Sequence, residues 1–162
     1  DVAPSRGLGD VYKRQIINIV VDASGSMTED DKNVVAKYLI NGICNAKETK
    51  EFTNVEFVLF QWGINSVKFE YIETAKLEFK GKNSYKNFST IKDDIDYESP
   101  MILISDGEFS EDDKEEIKKL SKQIIPIFVG VDANRAVLKD IATDKVVYSV
   151  TDFMQALEEA NM

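Results

Sequence analysis

Histidine is absent from this sequence, and cysteine occurs once, as Cys44. Without histidine, the chain by itself cannot build a histidine-ligated zinc site, a Ser-His-Asp triad or a Cys-His pair. A single cysteine also excludes an intramolecular disulfide. Because a free cysteine commonly packs as a small apolar side chain, we expect Cys44 to lie on a helix face and to have no functional role.

Long apolar runs and an excess of positive charge are also missing. The chain carries 20 basic and 29 acidic residues, a net charge of −9, which disfavours attraction to nucleic-acid phosphates and to anionic lipid surfaces. No apolar run approaches the roughly 20 residues that a membrane-spanning helix needs. With 162 residues, the chain is long enough for one domain with its own core. We therefore predict a cytoplasmic protein that binds neither nucleic acid nor membrane.

The first 15 residues, DVAPSRGLGDVYKRQ, show no apolar periodicity and directly precede a strong strand pattern. The portion GLGDVYKRQ resembles translated adapter sequence found in metagenomic reading frames, so residues 1–15 are interpreted as a non-native leader. A flexible native leader is the alternative. Neither version contains the apolar core of a secretory signal, although a foreign start would mean that any native signal has been lost. The domain is expected to span residues 16–162.

From residue 16 onward, short apolar runs alternate with longer amphipathic segments. This alternation predicts an α/β fold: a doubly wound, mostly parallel sheet of about six strands, with one antiparallel edge strand and helices on both faces. Pro126 removes a hydrogen-bond donor from its strand and predicts a bulge or a frayed start there. The predicted strands are 16–21, 55–62, 66–72, 101–106, 124–131 and 145–150, and the predicted helices are 28–48, 110–122, 134–142 and 152–160.

Hydroxyl and carboxylate side chains follow two of the buried strands. The first group is Asp22-Ala23-Ser24-Gly25-Ser26, and the second is Ser105-Asp106-Gly107. If the two strands are adjacent, these side chains meet at the carboxyl edge of the sheet, which is where open α/β sheets bind ligands. Such oxygen atoms suit a hard cation such as Mg²⁺. The sequence therefore predicts a magnesium site, with Mn²⁺ or Ca²⁺ as alternative ions.

The VVDASGSM and LISDGE segments resemble the first and fourth strand ends of von Willebrand factor A domains, over residues 16–160. Asp22, Ser24 and Ser26 match the Asp-x-Ser-x-Ser signature of that family, and the chain looks like a bacterial or phage single-domain member. The resemblance implies a Rossmann-like fold with a metal-ion-dependent adhesion site completed by Asp106. The threonine that the family supplies from an intervening loop is replaced here by Ser84 in Gly-Lys-Asn-Ser, with Thr90 as the alternative.

The same resemblance implies a function. The metal would bind an Asp or Glu of another protein or peptide, which makes the chain a binding module and not an enzyme. A narrower hypothesis places the module beside an AAA-type ATPase or in a stress-response system. These expectations concern the partner and the pathway, and the residues themselves name neither.

Three other interpretations remain open. The Asp-x-Ser-x-Ser stretch is also typical of a turn or a helix cap. Asp22 near Mg²⁺ is compatible with a phosphohydrolase or phosphotransferase that uses an aspartyl nucleophile. However, haloacid-dehalogenase-like phosphatases carry a second acid two residues later, where this chain has Ser24. The third interpretation is a scaffold of the same fold that no longer needs a metal.

Overall fold

A mostly parallel β-sheet forms the centre of the protein. The computed structural model describes residues 14–162, and in this part of the chain the sheet has five strands in the order β3-β2-β1-β4-β5. Strand β3 runs antiparallel to β2, and the other neighbouring strands are parallel. The strands are β1 (Gln15–Asp22), β2 (Val55–Trp62), β3 (Val67–Lys68), β4 (Met101–Ser105) and β5 (Ile124–Phe128).

Helices cover both faces of this sheet. They are α1 (Lys32–Ala46), α2 (Glu111–Ile117), α3 (Arg135–Ile141) and α4 (Phe153–Ala160). Alternate residues of β1 face opposite sides, so Ile19 packs with residues of α1 and α4, whereas Val20 packs with residues of α2 and α3. This period of two is the reason that a continuous apolar strand can support two separate cores. The predicted α/β fold class is confirmed.

Two of the predicted strands are much shorter than expected. In the segment predicted at 66–72, Val67 and Lys68 form the ladder pairs with β2, and the amide of Phe69 also donates to the carbonyl of Leu59. The segment predicted at 145–150 forms an isolated bridge between Tyr148 and Ile127, so the described sheet has five strands where about six were expected. Lys145 has a left-handed φ of 59°, and a 3₁₀ turn begins at Val150, which leaves little extended chain between them.

The prediction for Pro126 is also wrong. Residues of β5 pair with β4 in unbroken register, and Leu103 lies opposite Pro126. The carbonyl of Pro126 accepts a hydrogen bond from the amide of Tyr148 on the outer side of β5. The nitrogen of Pro126 therefore faces the same outer edge, where the sheet ladder needs no donor, and no bulge is required.

The helix predicted at 28–48 begins four residues later than expected. A 3₁₀ segment covers Gly25–Asp31, and α1 begins at Lys32. Asp30 and Asp31 adopt left-handed φ values of 51° and 59°, which interrupts the helical path. Thr28 is not the cap of α1, because its hydroxyl donates to the carbonyl of Gly25. Lys32, the first residue of α1, lies on its buried face.

The other predicted helices are present with shorter bounds. Ser110 caps α2 as predicted: its hydroxyl accepts from the amide of Asp113, and the Asp113 carboxylate accepts from the amide of Ser110. In residues 14–162, no helix combines the length and the apolar character needed to cross a bilayer. Residues 1–13 of the predicted leader lie outside the described residues. Gln15, the last residue of the predicted leader, belongs to β1.

Candidate metal centre

The carboxyl ends of β1 and β4 lie side by side in the middle of the sheet. The two strands are parallel neighbours, with Val21 opposite Ile104, and Asp22 and Asp106 follow at the same edge. The strand order reverses here, because β2 lies on one side of β1 and β4 on the other. An open α/β sheet binds its ligands at such a switch point. The predicted meeting of the two loops is therefore observed.

Asp22 is fully buried and its carboxylate accepts three hydrogen bonds. Its Oδ2 accepts from the hydroxyl of Ser105 at 2.6 Å, and its Oδ1 accepts from the amide of Ser24 at 3.1 Å and from Nδ2 of Asn83 at 2.7 Å. Burial raises the pKa of Asp22 from its ordinary value of 3.8 to about 6, the hydrogen bond from Ser105 opposes this change, and the nearby charge of Asp106 adds to it. The two aspartates thus share one electrostatic environment.

The hydroxyls of Ser24 and Ser26 form a pair beside this carboxylate. Their Oγ atoms lie 3.0 Å apart. An octahedral Mg²⁺ with oxygen ligands at about 2.0–2.1 Å requires neighbouring ligands about 2.9 Å apart. Ser24 is buried and Ser26 is partly exposed. The spacing of the serine pair therefore fits two adjacent positions of an octahedral shell.

A second loop lies across the Asp-x-Ser-x-Ser turn and is joined to it through the backbone. The amide of Gly25 donates to the carbonyl of Gly81 at 2.6 Å, and the amide of Lys80 donates to the carbonyl of Ala23 at 2.9 Å. Gly81 has a φ of 75°, where an added Cβ would lie 2.7 Å from Cγ2 of Ile64. A side chain at residue 81 would therefore be strained and would displace the side chain of Ile64, which packs against this loop.

Asn83, and not Ser84, is the side chain of this loop that reaches Asp22. Besides Asp22, the Asn83 Nδ2 atom donates to the carbonyl of Trp62 at 2.8 Å. Both neighbours of Nδ2 are acceptors, which determines the orientation of the amide. The Oδ1 atom of Asn83 is buried and has no hydrogen-bond partner among the described residues. A buried carbonyl oxygen without a partner next to Asp22 is a good candidate for a cation or for its bound water.

The hydroxyls predicted from this region serve local contacts. The Ser84 Oγ atom accepts from the amide of Lys86 and caps the 3₁₀ segment Tyr85–Thr90. The hydroxyl of Thr90, the alternative ligand, donates to the carbonyl of Ser66. These contacts do not join either hydroxyl to Asp22. Sequence reasoning missed Asn83, although it lies next to the serine chosen from the Gly-Lys-Asn-Ser loop.

Asp106 is fully buried and forms an ion pair that the sequence analysis missed. Its Oδ2 atom lies 3.2 Å from the ammonium nitrogen of Lys32, and its Oδ1 accepts from the amide of Glu108 at 3.1 Å. A sequence signal for Lys32 was available, because it is spaced at i, i+4 and i+8 with Ala36 and Ile40 on the buried face of α1. Helical periodicity places such a lysine inside the protein.

The side chains gathered here supply oxygen ligands of several kinds. We call Asp22, Ser24, Ser26, Asn83 and Asp106 the oxygen cluster. Within residues 14–162, acidic and cysteine side chains alone form no group of three or more that could hold a metal ion. A cation at this edge would therefore depend on the serine hydroxyls together with the aspartates. That mixed set of oxygens is chemically suited to a hard divalent ion.

A polar cleft opens beside Asn83, with a volume of about 370 Å³. One wall carries Lys82 and Lys86, and the opposite wall carries Glu108 and Asp112. These two walls are the loop that bears Asn83 and the start of α2, which are joined by a 2.7 Å hydrogen bond from the amide of Tyr85 to Oδ1 of Asp113. Its two walls have opposite charge, so an extended polar segment could lie between them.

Comparison with solved structures supports a von Willebrand A-like fold. An aerotolerance-related membrane protein from Bacteroides fragilis, in a form with multiple mutations to serines, is similar over 91% of this chain and 98% of its own, at 14% identity and a TM-score of 0.66. Manganese-loaded TRAP protein of Plasmodium vivax is similar over 93% of this chain and 74% of its own, at 15% identity and a TM-score of 0.66. No family model and no curated protein sequence matches the chain.

A third similar structure is that of proximal thread matrix protein 1 from the mussel byssus, solved with zinc in its MIDAS motif. It has 18% identity and a TM-score of 0.62, and the match covers 91% of this chain but 45% of the mussel chain. This chain therefore spans less than half of the mussel protein's length. At such identities, the likeness establishes the fold and leaves the site to be argued from its own residues.

Proposed function

We propose that this protein is a binding module that uses a divalent cation, Mg²⁺ in the first instance, to recognise an acidic side chain of another protein. The observation that carries the proposal is the pair of serine hydroxyls, 3.0 Å apart, next to the buried carboxylate of Asp22. Similar structures that contain manganese or zinc support a divalent ion in this fold. Ser24, Ser26 and the two aspartates would hold the ion.

The cluster's chemistry favours an anionic partner. Neutral serine ligands leave more of a divalent ion's charge uncompensated than carboxylate ligands would, and such an ion attracts a further anionic oxygen. Asp22 accepts hydrogen bonds from Ser105, Ser24 and Asn83, which hold its carboxylate in one orientation on the buried side of the site. The partly exposed Ser26 lies on the open side. The partner's carboxylate would therefore approach from the side of Ser26.

The polar cleft beside Asn83 supports a protein or peptide as the partner. A chain segment that carries the acidic residue could continue from the oxygen cluster into this cleft, between Lys82 and Glu108. Both walls offer charged groups near the surface, which favour orientation and specificity over affinity. The cleft thus suits an extended segment with charges of both signs.

We also propose that the module is not an enzyme. The alternative uses Asp22 as a nucleophile toward phosphorus, yet both oxygens of Asp22 accept hydrogen bonds and the side chain is fully buried. A nucleophile needs access to its substrate. Incubation with a generic phosphate ester and Mg²⁺ is expected to release no phosphate. Release that disappears in Asp22→Asn would restore the enzyme interpretation.

Calorimetric titration of the metal-stripped protein tests the binding proposal. Mg²⁺ or Mn²⁺ is expected to bind with a stoichiometry of about one, as for a single octahedral site, and Asp22→Ala should abolish the binding. Asp93→Ala is the matched control, because Asp93 is an exposed carboxylate outside the cluster. Absence of binding in the wild type would favour a scaffold of this fold that needs no metal.

A pull-down with and without EDTA extends the test to the partner. Proteins retained in Mg²⁺, released by EDTA and absent with Asp22→Ala would support metal-dependent recognition. Retention that ignores EDTA would argue for a different surface. The cytoplasmic location and the association with an AAA-type ATPase or a stress-response system stay predictions, and the identity of the retained proteins would test both.

A further inference from the structure

Lys32 places a positive charge inside the candidate metal centre. Its side chain is 1% exposed, and its ammonium nitrogen lies 3.2 Å from Oδ2 of Asp106 and 3.0 Å from Oδ1 of Asp132. Asp106 is buried, whereas Asp132 is 54% exposed. The ammonium thus connects an aspartate of the oxygen cluster to a carboxylate at the surface.

The backbone around Lys32 is shaped to receive this side chain. Gly130 has a φ of 97°, and a Cβ at that residue would lie 2.6 Å from Cε of Lys32 and 3.0 Å from Oδ1 of Asp132. Any larger residue at 130 would therefore displace the lysine or its partner. The left-handed turn at Asp30 and Asp31 directly precedes α1, and Lys32 lies on the buried face of that helix. Contacts from several segments of the chain therefore fix the position of the ammonium group, unlike that of a mobile surface lysine.

A buried ammonium is retained only where anions compensate its loss of water. Here it compensates Asp106, a carboxylate that would also serve the cation. The ammonium and a divalent ion in the oxygen cluster carry charge of the same sign and share one anionic partner. They must therefore compete for it or repel one another across a short distance.

We propose that Lys32 is a built-in counter-cation, which stabilises the oxygen cluster in the absence of metal and weakens its affinity for divalent ions. This inference rests on the proposed metal-dependent function. It makes Lys32 a determinant of metal affinity, although lysine does not coordinate the ion. The module would then fold without metal and bind the ion reversibly.

The variant Lys32→Gln tests this inference by removing the charge and keeping a polar side chain. Calorimetry is expected to show Mg²⁺ affinity about tenfold tighter than in the wild type, since a nearby like charge has been removed. Lys47→Gln is the matched control, because Lys47 is exposed at the other end of the same helix. It lies roughly 22 Å away along the helix, beyond the screening length of about 8 Å at physiological salt, and should leave the affinity unchanged.

Thermal unfolding provides a second readout. In EDTA, Lys32→Gln should melt several degrees below the wild type, because Asp106 loses its buried counter-charge. Saturating Mg²⁺ should restore much of the difference. Equal or weaker Mg²⁺ affinity in Lys32→Gln, or a melting difference that Mg²⁺ does not reduce, would overturn the inference.

The variant Asp132→Asn keeps the inference testable if Lys32→Gln fails to fold. Asp132 is mostly exposed, so the fold should tolerate the change, while the charge of Lys32 becomes less compensated. Mg²⁺ affinity is expected to fall about two- to fivefold. Unchanged affinity would overturn the inference.

The calorimetric results also separate this inference from the proposed function. Binding by the wild type with no gain in Lys32→Gln would overturn the counter-cation and leave the metal-binding module intact. Binding by Lys32→Gln alone would support the counter-cation and overturn metal dependence in the natural chain. Absence of binding in both proteins would overturn both proposals.

Discussion

The hydroxyl of Ser105 donates a 2.6 Å hydrogen bond to Oδ2 of Asp22, which joins the end of β4 to the end of β1. The same hydroxyl accepts from the amide of Gly107 at 2.9 Å, so it also orients the turn that follows Asp106. One buried hydroxyl therefore connects both loops of the candidate metal centre. Charge-assisted bonds of this kind are shorter and stronger than neutral ones.

Removal of the serine pair should weaken metal binding without unfolding the protein. The double variant Ser24→Ala/Ser26→Ala is expected to bind Mg²⁺ at least about tenfold more weakly, because the ion loses two ligands. The rise in melting temperature with Mg²⁺ concentration should shrink accordingly, since only binding to the native state stabilises it. Ser89→Ala is the control, because Ser89 is exposed and outside the cluster. A full Mg²⁺-dependent rise in the double variant would contradict the site.

Neutralisation of Asp22 should stabilise the metal-stripped protein at neutral pH. The pKa of Asp22 is raised from 3.8 to about 6. The favourable contribution of the protonated carboxyl group to the free energy of unfolding is therefore fully present below pH 3.8 and is lost as the pH rises through about 6. At pH 7, Asp22→Asn is expected to raise the free energy of unfolding by about 1–3 kcal/mol.

Urea unfolding in EDTA at pH 5 and pH 7.5 measures this effect. The gain from Asp22→Asn should be larger at pH 7.5, where the wild-type carboxylate is ionised. Asp93→Asn at the surface should change stability by less than about 0.5 kcal/mol. A lower stability of Asp22→Asn at pH 7.5 would show that the hydrogen bonds to the carboxylate outweigh its burial.

Substitutions of Asn83 and of Ser84 in the second loop are expected to change Mg²⁺ affinity by different amounts. Asn83→Ala should weaken Mg²⁺ binding and lower the free energy of unfolding by about 1–3 kcal/mol, because Asp22 and the Trp62 carbonyl lose a buried donor. Ser84→Ala and Thr90→Ala should have smaller effects on metal affinity, since their hydroxyls serve local contacts. Calorimetric titration of all three variants with Mg²⁺ identifies which of these side chains contributes to metal binding. Loss of binding in Ser84→Ala alone would restore the serine predicted from the motif.

Gly107 should not tolerate a side chain. It has a φ of 77°, and a Cβ there would lie 2.5 Å from the carbonyl oxygen of Asn134. Gly107→Ala is expected to lower the free energy of unfolding by at least about 1–2 kcal/mol, because a left-handed residue with a Cβ is strained and backbone cannot easily give way. Gly63→Ala, whose Cβ would lie 3.4 Å from Cβ of Ala23, is the matched control. Equal thermal stability of the two variants would refute the expectation.

Most of the sheet could be predicted from local patterns. The strand at 55–62 has the predicted bounds, and β1 and β4 differ from their predicted bounds by a residue at one or both ends. These strands are buried on both faces, so their apolar runs are continuous and easy to recognise. The segments at 66–72 and 145–150 form two ladder pairs and one isolated bridge, respectively, so the local pattern overestimated the lengths of these two strands.

The sequence by itself determined the α/β class and placed Asp22, Ser24, Ser26 and Asp106 at the carboxyl ends of two buried strands, whereas the structure showed that these strands are neighbours. The class and this placement follow from the periodicity of the chain. Only the tertiary structure decided that Asn83 reaches Asp22, that Lys32 neutralises Asp106, and that the Ser84 hydroxyl caps its own turn. Irregular loops have no period, so the side chain that enters a buried space depends on packing between segments far apart in the chain.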